Sequence, residues 1–519
     1  GASNVAVGRD ALASNTTGSE NTAVGKSAAD AVTTGTRTVA VGFNAGGGLT
    51  TGDSNVAIGY QALMTEDAHS NNVAIGASAL QTQNAGAHAY NTAVGFEAGK
   101  AITTGIYNTA VGANTLLANT TGASNNAFGY GALTANTTAA YNNAFGINAL
   151  AVNTTGASNS AFGHTALAAN TTGEQNTAIG SEALEANTTA SNNTAVGTEA
   201  LKVNTTGAAN TAVGQGALMT VTTGDSCTAV GTSALTVNTA VSNTAVGRSA
   251  LGANTTGTAN ASFGAYSGDA NIDGENNVFF GYAAGGSNTT ASNNCCFGKD
   301  AGTSLTTGGT NVGIGKSTLG AVTTGTLNTT LGHEAGSNLA SGASENTCLG
   351  SSAKTGGTNS SHAIVLGSGI TAASGNDRFS FGKASNIVHN EFDTNASWTR
   401  TSDERKKKNI KDDTLGLEFI NNLRTVTFEW KPNNEFPEHF KDYGEENKMT
   451  TGKTMHGMIA QDVKVALDKA GVDTFGGWSE DSDDGSQEIS QEMFIHPLIK
   501  AVQELSAEVE QLKSKAHDK

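Results

Sequence analysis

The chain has 519 residues, 66 of them glycine and only 3 proline, with a net charge of −17. That acidic balance excludes a nucleic-acid-binding face, because Arg405 to Lys408 is the one basic run. No apolar stretch reaches the ~20 residues needed to cross a bilayer, and the length exceeds one ordinary globular core.

From the start the chain repeats itself every seventeen residues, anchored on a tetrad ending in glycine: Ala23-Val24-Gly25, Ala40-Val41-Gly42, Ala57-Ile58-Gly59, and onward to Phe381-Gly382. A fixed period marks a repeat architecture, in which no unit buries its apolar face alone. Each unit reads as a short Asn-Thr-Ala-Val strand, a glycine bend, an x-x-Ala-Leu piece with a second apolar contact (Leu133, Leu150, Leu167), and an Asn-Thr-Thr-Gly turn. One unit is therefore one coil of a β-solenoid. All three prolines (Pro432, Pro437, Pro497) lie beyond the repeat, as a stacked ladder requires, since proline removes a donor from the inter-coil bonds. At ~4.8 Å per coil the stack makes a rod on the order of 100 Å long. Bulky hydrophobes are few, so association of several chains along the rod would bury more and hide flat strand faces.

Several features of the repeat imitate functional motifs. Gly25-Lys26-Ser27 and Gly315-Lys316-Ser317 end like a phosphate loop but lack its first glycine, which is Glu20 or Thr310 here. Triplets such as Asn15-Thr16-Thr17 and Asn170-Thr171-Thr172 match the glycosylation pattern but recur where the turn falls. Glu182, Glu185 and Glu199 could line one flank, yet scattered solubilising charge accounts for them better than a glycan-cleaving pair. Cys227, Cys295, Cys296 and Cys348 have neither metal-site nor disulfide-framework spacing and read as plain thiols. No metal or other cofactor is expected.

The Asn-Thr-Ala-Val-Gly and Asn-Val-Ala-Ile-Gly units resemble the head repeats of trimeric autotransporter adhesins, whose units are somewhat shorter. That resemblance implies a trimeric β-roll.

The glycine rhythm ends near Ala384, and a junction with Phe392 and Trp398 leads into Thr401-Ser402-Asp403-Glu404-Arg405-Lys406-Lys407-Lys408-Asn409-Ile410. Leu415 to Leu423 has helical apolar spacing, Thr425 to Trp430 alternates as a strand, and Met455 to Val463 leads into a second helix. An acidic Glu480 to Asp484 loop follows. A last helix begins near Pro497, a favourable first-turn residue. Along it Leu498, Val502, Leu505, Val509 and Leu512 alternate spacings of four and three, a coiled-coil seam. The expected organisation is solenoid repeats over 1–383, a junction over 384–401, and a small α+β domain over 402–519 ending in the coiled-coil helix.

Ser402 to Ile410, Gly416 to Leu423, Val426 to Trp430, Gly457 to Val463 and Leu498 to Leu505 resemble, in order, the five motifs of the C-terminal intramolecular chaperone domain of phage tailspikes, tail fibres and endosialidases. The resemblance implies a domain that trimerises, guides folding of the fibre upstream, then cuts the chain and departs. By the same resemblance Ser402 is the nucleophile, Lys407 its general base, and Thr401-Ser402 the scissile bond, cut once per chain. A serine hydroxyl needs a base to take its proton, and a lysine serves only when neutral, which burial or the nearby cations Arg405, Lys406 and Lys408 favour. Asp403 stabilises the turn, and His456 is a candidate for orienting the site.

The sequence thus points to a homotrimeric phage tail fibre or tailspike segment, assembled in the host cytoplasm and carried on the virion. Its expected partners are a host surface glycan or protein receptor, and other tail proteins through an N-terminal portion upstream of Gly1. A bacterial surface adhesin with the same tail is the alternative. A polysaccharide depolymerase comes third, for want of a catalytic carboxylate pair.

Overall fold

The computed structural model describes residues 1–86, 88–372, 375–391, 399–400, 402–447, 449 and 451–517. The chain divides into two compact units, Gly1–Thr401 and Ser402–Lys519.

The first unit is the β-solenoid that the repeat implies. Twenty-two strands of three residues, β1 (Val5–Val7) through β22 (Ile364–Leu366), stack in parallel, one per coil. Register follows the period: Ser160 faces Thr177, Ala161 faces Ala178 and Phe162 faces Ile179. The strands are short because a glycine bends the chain immediately after each. Gly163 sits at φ +147°, and a Cβ there would lie 2.3 Å from the carbonyl oxygen of Gly180 in the next coil. The lysine-flanked Gly25 and Gly315 belong to this same column, with φ near +137° and +134°, and are bends rather than phosphate cradles.

The core is a thin stack of alanine and leucine between two columns of buried asparagine. In one coil Ala161, Ala166 and Leu167 are fully buried together with Asn159 and Asn170. The first column ties coil to coil: the Asn176 backbone N–H donates to Asn159 Oδ1 at 2.9 Å, while Asn159 Nδ2 donates across its own coil to the Gly173 carbonyl at 2.8 Å. In the second column Asn170 Nδ2 donates to Asn153 Oδ1 at 2.8 Å and to the Gly173 carbonyl at 3.0 Å. In this coil the amides of Asn159 and Asn170 thereby find partners, as burial of a polar group demands. These turn asparagines are 0% exposed, so Asn170 and its buried equivalents are not glycan acceptors.

Core volume is conserved by exchange between positions. Where the strand centre enlarges from alanine to Phe279, glycine replaces leucine at positions 268 and 285, and a Cβ on Gly285 would fall 2.3 Å from the Phe279 ring. Where glycine stands at 46 or 99, Leu49 or Ile102 occupies the turn-asparagine position and fills the space, 3.0 and 2.9 Å from the missing Cβ. Cys227, Cys296 and Cys348 are likewise buried in this core as free thiols, and burial pushes the latter two up to about 12.

Outward, each strand presents its first and third residues. The third is Val, Ile, Phe or Leu in all twenty-two strands, and none of the strands holds a charged residue. Phe128, Phe145 and Phe162 stack along this ridge at 4.6 and 4.7 Å, as do Phe280 and Phe297 at 4.5 Å. After β22 the sheet continues into β23 (Arg378–Lys383), which turns back antiparallel as β24 (Asn386–Glu391), and β24 pairs with β25 (Thr399–Arg400). Ordered sheet therefore extends into the junction; Phe392, Trp398 and Thr401 lie outside the described residues.

The second unit is a small α+β assembly. Helix α1 (Leu417–Asn422) leads into β26 (Thr425–Phe428), which pairs antiparallel with β27 (Met455–Met458). Then come α2 (Ala460–Lys469), the hairpin of β28 (Trp478–Glu480) and β29 (Gln487–Ile489), and α3 (Ile495–His517). Leu415, Phe419, Val463, Ala466, Leu467 and Phe494 form the core.

Candidate functional site

The basic run opens the second unit and folds on itself. Asp403 caps a 3-10 turn, Glu404–Lys406, by accepting the Arg405 backbone N–H at 2.9 Å. Its carboxylate also takes the Arg405 guanidinium in two bonds of 3.0 and 2.7 Å, and this pairing holds the carboxyl below its usual range. At the far end Lys407 is extended, with φ −112° and ψ 152°. One tight turn thus brings a side chain five residues on back to the start: Lys407 Nζ donates to Ser402 Oγ at 2.7 Å. Lys407 makes this contact, and not Lys406. Arg405, one of the cations expected near Lys407, is paired with Asp403.

Ser402 and Lys407 are both exposed in the single chain. His456 lies elsewhere, on β27 opposite Thr427, in an open groove of about 630 Å³ that also includes Thr425 and Gln491. Among the described residues no hydrogen bond or ion pair joins His456 to Ser402 or Lys407. Thr401, the other side of the expected scissile bond, is outside the described residues, so the geometry at its carbonyl is not described.

Helix α3 shows two faces. Pro497 and Ala501 are buried, whereas Leu498, Val502, Leu505, Val509 and Leu512 are 51, 55, 48, 40 and 66% exposed. The heptad seam is thus a continuous unpaired apolar stripe. The helix also supplies a contact that local pattern reading missed: Glu504 Oε2 accepts the Leu417 backbone N–H at 2.7 Å and so caps α1. Gly416 permits it, because a Cβ there would lie 2.1 Å from the same oxygen. The only sequence signal was the presence of both residues in the two distant motifs.

Two of the three acidic residues on the rod, Glu182 and Glu199, are held by a lysine. Lys202 bridges Glu182 and Glu199, at 3.1 Å from the latter. The Glu182 bond to Lys202 lowers that carboxyl below its ordinary value, the opposite of what a general acid requires. No cluster of three metal-ligating side chains occurs among the described residues, and no helix there is long and apolar enough to cross a membrane.

Residues 402–472 match the protein-family model of the S74 peptidases, described as the chaperone of endosialidase. The match begins at Ser402 and ends just past α2, leaving the hairpin and α3 outside. No curated protein and no solved structure matches the chain significantly.

Proposed function

We propose that the chain is a segment of a homotrimeric phage tail fibre or tailspike for host attachment, folded by its C-terminal unit, which then severs itself at Thr401-Ser402. The observation that carries this reading is the 2.7 Å Lys407–Ser402 bond at the first residue of both the second compact unit and the family match.

The chemistry runs as a single-turnover acyl shift. Ser402 Oγ adds to the carbonyl of residue 401, and Lys407, neutral at that moment, takes the hydroxyl proton. The amide C–N bond breaks, the proton passes to the freed Ser402 amine, and an ester joins residue 401 to Oγ. Water hydrolyses the ester, leaving a carboxylate on residue 401 and a restored hydroxyl on Ser402. In the single chain both Ser402 and Lys407 are open to water. If association through the α3 stripe also buries this loop, it favours the neutral amine and couples cleavage to assembly.

The same association suits the rod. Its uncharged ridge carries a partly or largely exposed Val, Ile, Phe or Leu on each of twenty-two coils, apolar surface that association would cover. Three rods packed along it would cover it. Removal of the clamp afterwards makes the assembled state kinetically rather than thermodynamically protected, since a refolding fibre no longer has its guide.

Expression of the full chain is expected to give two fragments on denaturing gels, with mass spectrometry placing the cut before Ser402. Ser402→Ala and Lys407→Ala are expected to give one band while remaining trimeric. A wild-type chain that stays whole after trimer assembly is confirmed would overturn the proposed dyad.

A further inference from the structure

One stretch of the solenoid flank differs from the rest. In the column that follows each core leucine, successive coils present Glu185, Lys202, Met219 and Thr236, and then Gly252, Asp269 and Gly286. Neither of these glycines has a positive φ, so the backbone does not require them. Gly252 leaves space on one side of Asp269, while on the other the Asp269 carboxylate reaches within 3.4 Å of where a Gly286 Cβ would stand. The result is a groove of about 480 Å³ lined by Ser233, Thr236, Ser249, Gly252, Tyr266 and Asp269.

Aromatic and cationic groups continue from the groove. The Arg248 guanidinium stands 5.5 Å from the centre of the Tyr266 ring, Tyr282 meets Tyr266 edge-on at 6.0 Å, and Lys299 lies 5.7 Å from the centre of the Tyr282 ring. Tyr282 is 51% exposed. Asp269 makes no ion pair among the described residues; burial raises its carboxyl, with the backbone amides of Asp269 and Ala270 opposing. A partly desolvated carboxylate, flanked by hydroxyls and by the Tyr266 ring, is the set of groups that grips a sugar: hydroxyls donate to the carboxylate while a C–H face packs on the ring.

From this placement we infer that the flank around Asp269 and Tyr266 is a saccharide-binding groove for a pyranose unit of a cell-surface polysaccharide. The inference rests on the attachment reading and gives it a location. Its lining residues come from the segments after the glycine bends and not from the strands that carry the apolar ridge.

Affinity electrophoresis of the full chain through gels containing dextran, mannan or alginate tests it, the first two neutral and the third a polymer of uronates. Retardation by at least one polymer is expected. Asp269→Asn, Tyr266→Ala and Gly252→Leu, the last filling the groove, should each weaken it at least tenfold with the melting temperature unchanged. No retardation by any of the three, or retardation that all three variants retain, overturns the groove. Labelled full chain on a panel of bacterial cells separates the two readings. Binding that the variants keep sinks the groove and leaves attachment standing, whereas absence of binding to every strain sinks attachment while the gels still decide the groove.

Discussion

Glu66 shows how closely the coil cross-section constrains a single side chain. It occupies the turn position that holds asparagine in most coils, is 0% exposed, and bonds to His69 Nδ1 at 2.6 Å through one oxygen. Its other oxygen has no partner, nor do Asn72 Nδ2 and Gln83 Nε2 in the coils beyond, although the pre-strand ladder still runs from Asn55 through Asn72 to Asn91. Burial lifts the Glu66 carboxyl above its ordinary 4.5, with the His69 bond opposing. The sign of the consequence follows: as pH rises past that ordinary value the unfolded chain gives up its proton before the folded one, so stability falls until the raised value is passed. Glu66→Gln keeps an acceptor for His69 and removes the buried carboxyl. Thermal melts should show the variant more stable than wild type at pH 7, with the two converging below pH 4. A variant less stable at pH 7 would mean that the ionised His69 pair outweighs desolvation.

At the scale of elements, the strands and bends could be read from the sequence because each coil repeats a local cause: β-branched residues, then a glycine that only φ above +120° satisfies. The heptad of α3 was legible for the same reason, since its spacing is its signal. What stayed hidden were contacts between residues far apart in sequence. The Glu504 cap on Leu417 spans 87 positions, and the exchange between Phe279 and Gly268 or Gly285 shows only once the coils are stacked. In the site, the five-residue reach from Lys407 to Ser402 followed the motif, whereas the diversion of Arg405 to Asp403 depended on a turn that the basic run does not announce. The two faces of α3 can also be tested separately. Leu505 is 48% exposed on the seam, while Ala501 and Glu504 face α1. Leu505→Asp should therefore leave helix content by circular dichroism unchanged, abolish the trimer in sedimentation experiments, and block self-cleavage with it. Cleavage at a normal rate by a monomeric Leu505→Asp chain would uncouple the cut from assembly.

For the whole molecule, the decisive property is how strongly the rod specifies its own alignment. Between Ala127 and Asn204 five coils repeat one core set of alanine, leucine and asparagine, as in Ala144, Leu150 and Asn153 or Ala178, Leu184 and Asn187. Chains slipped by one coil here would meet almost identical neighbours, so alignment must come from elsewhere, and the proposed trimeric clamp at one end would supply it. Toward both ends the set changes: Leu49 and Ile102 take the asparagine position on one side, and Phe279 enters the strand centre on the other. This unevenness makes coils interchangeable in one stretch and not in another. Deleting residues 144–160 removes one full period from the uniform stretch and joins equivalent positions, so the shortened chain should assemble, cleave and melt much as wild type. Deleting residues 270–286 is equally in phase, but it removes Phe279 and leaves Gly268 facing a void beside Leu251. Loss of a buried phenyl ring costs about 3–5 kcal/mol where the surroundings cannot close in, and neighbouring coils locked into a ladder have little freedom to do so. The second deletion should therefore lower the melting temperature sharply while the clamp still trimerises and cuts. Equal tolerance of both deletions would show that the coils are interchangeable throughout, and that the leucine, glycine and phenylalanine exchange carries no positional information.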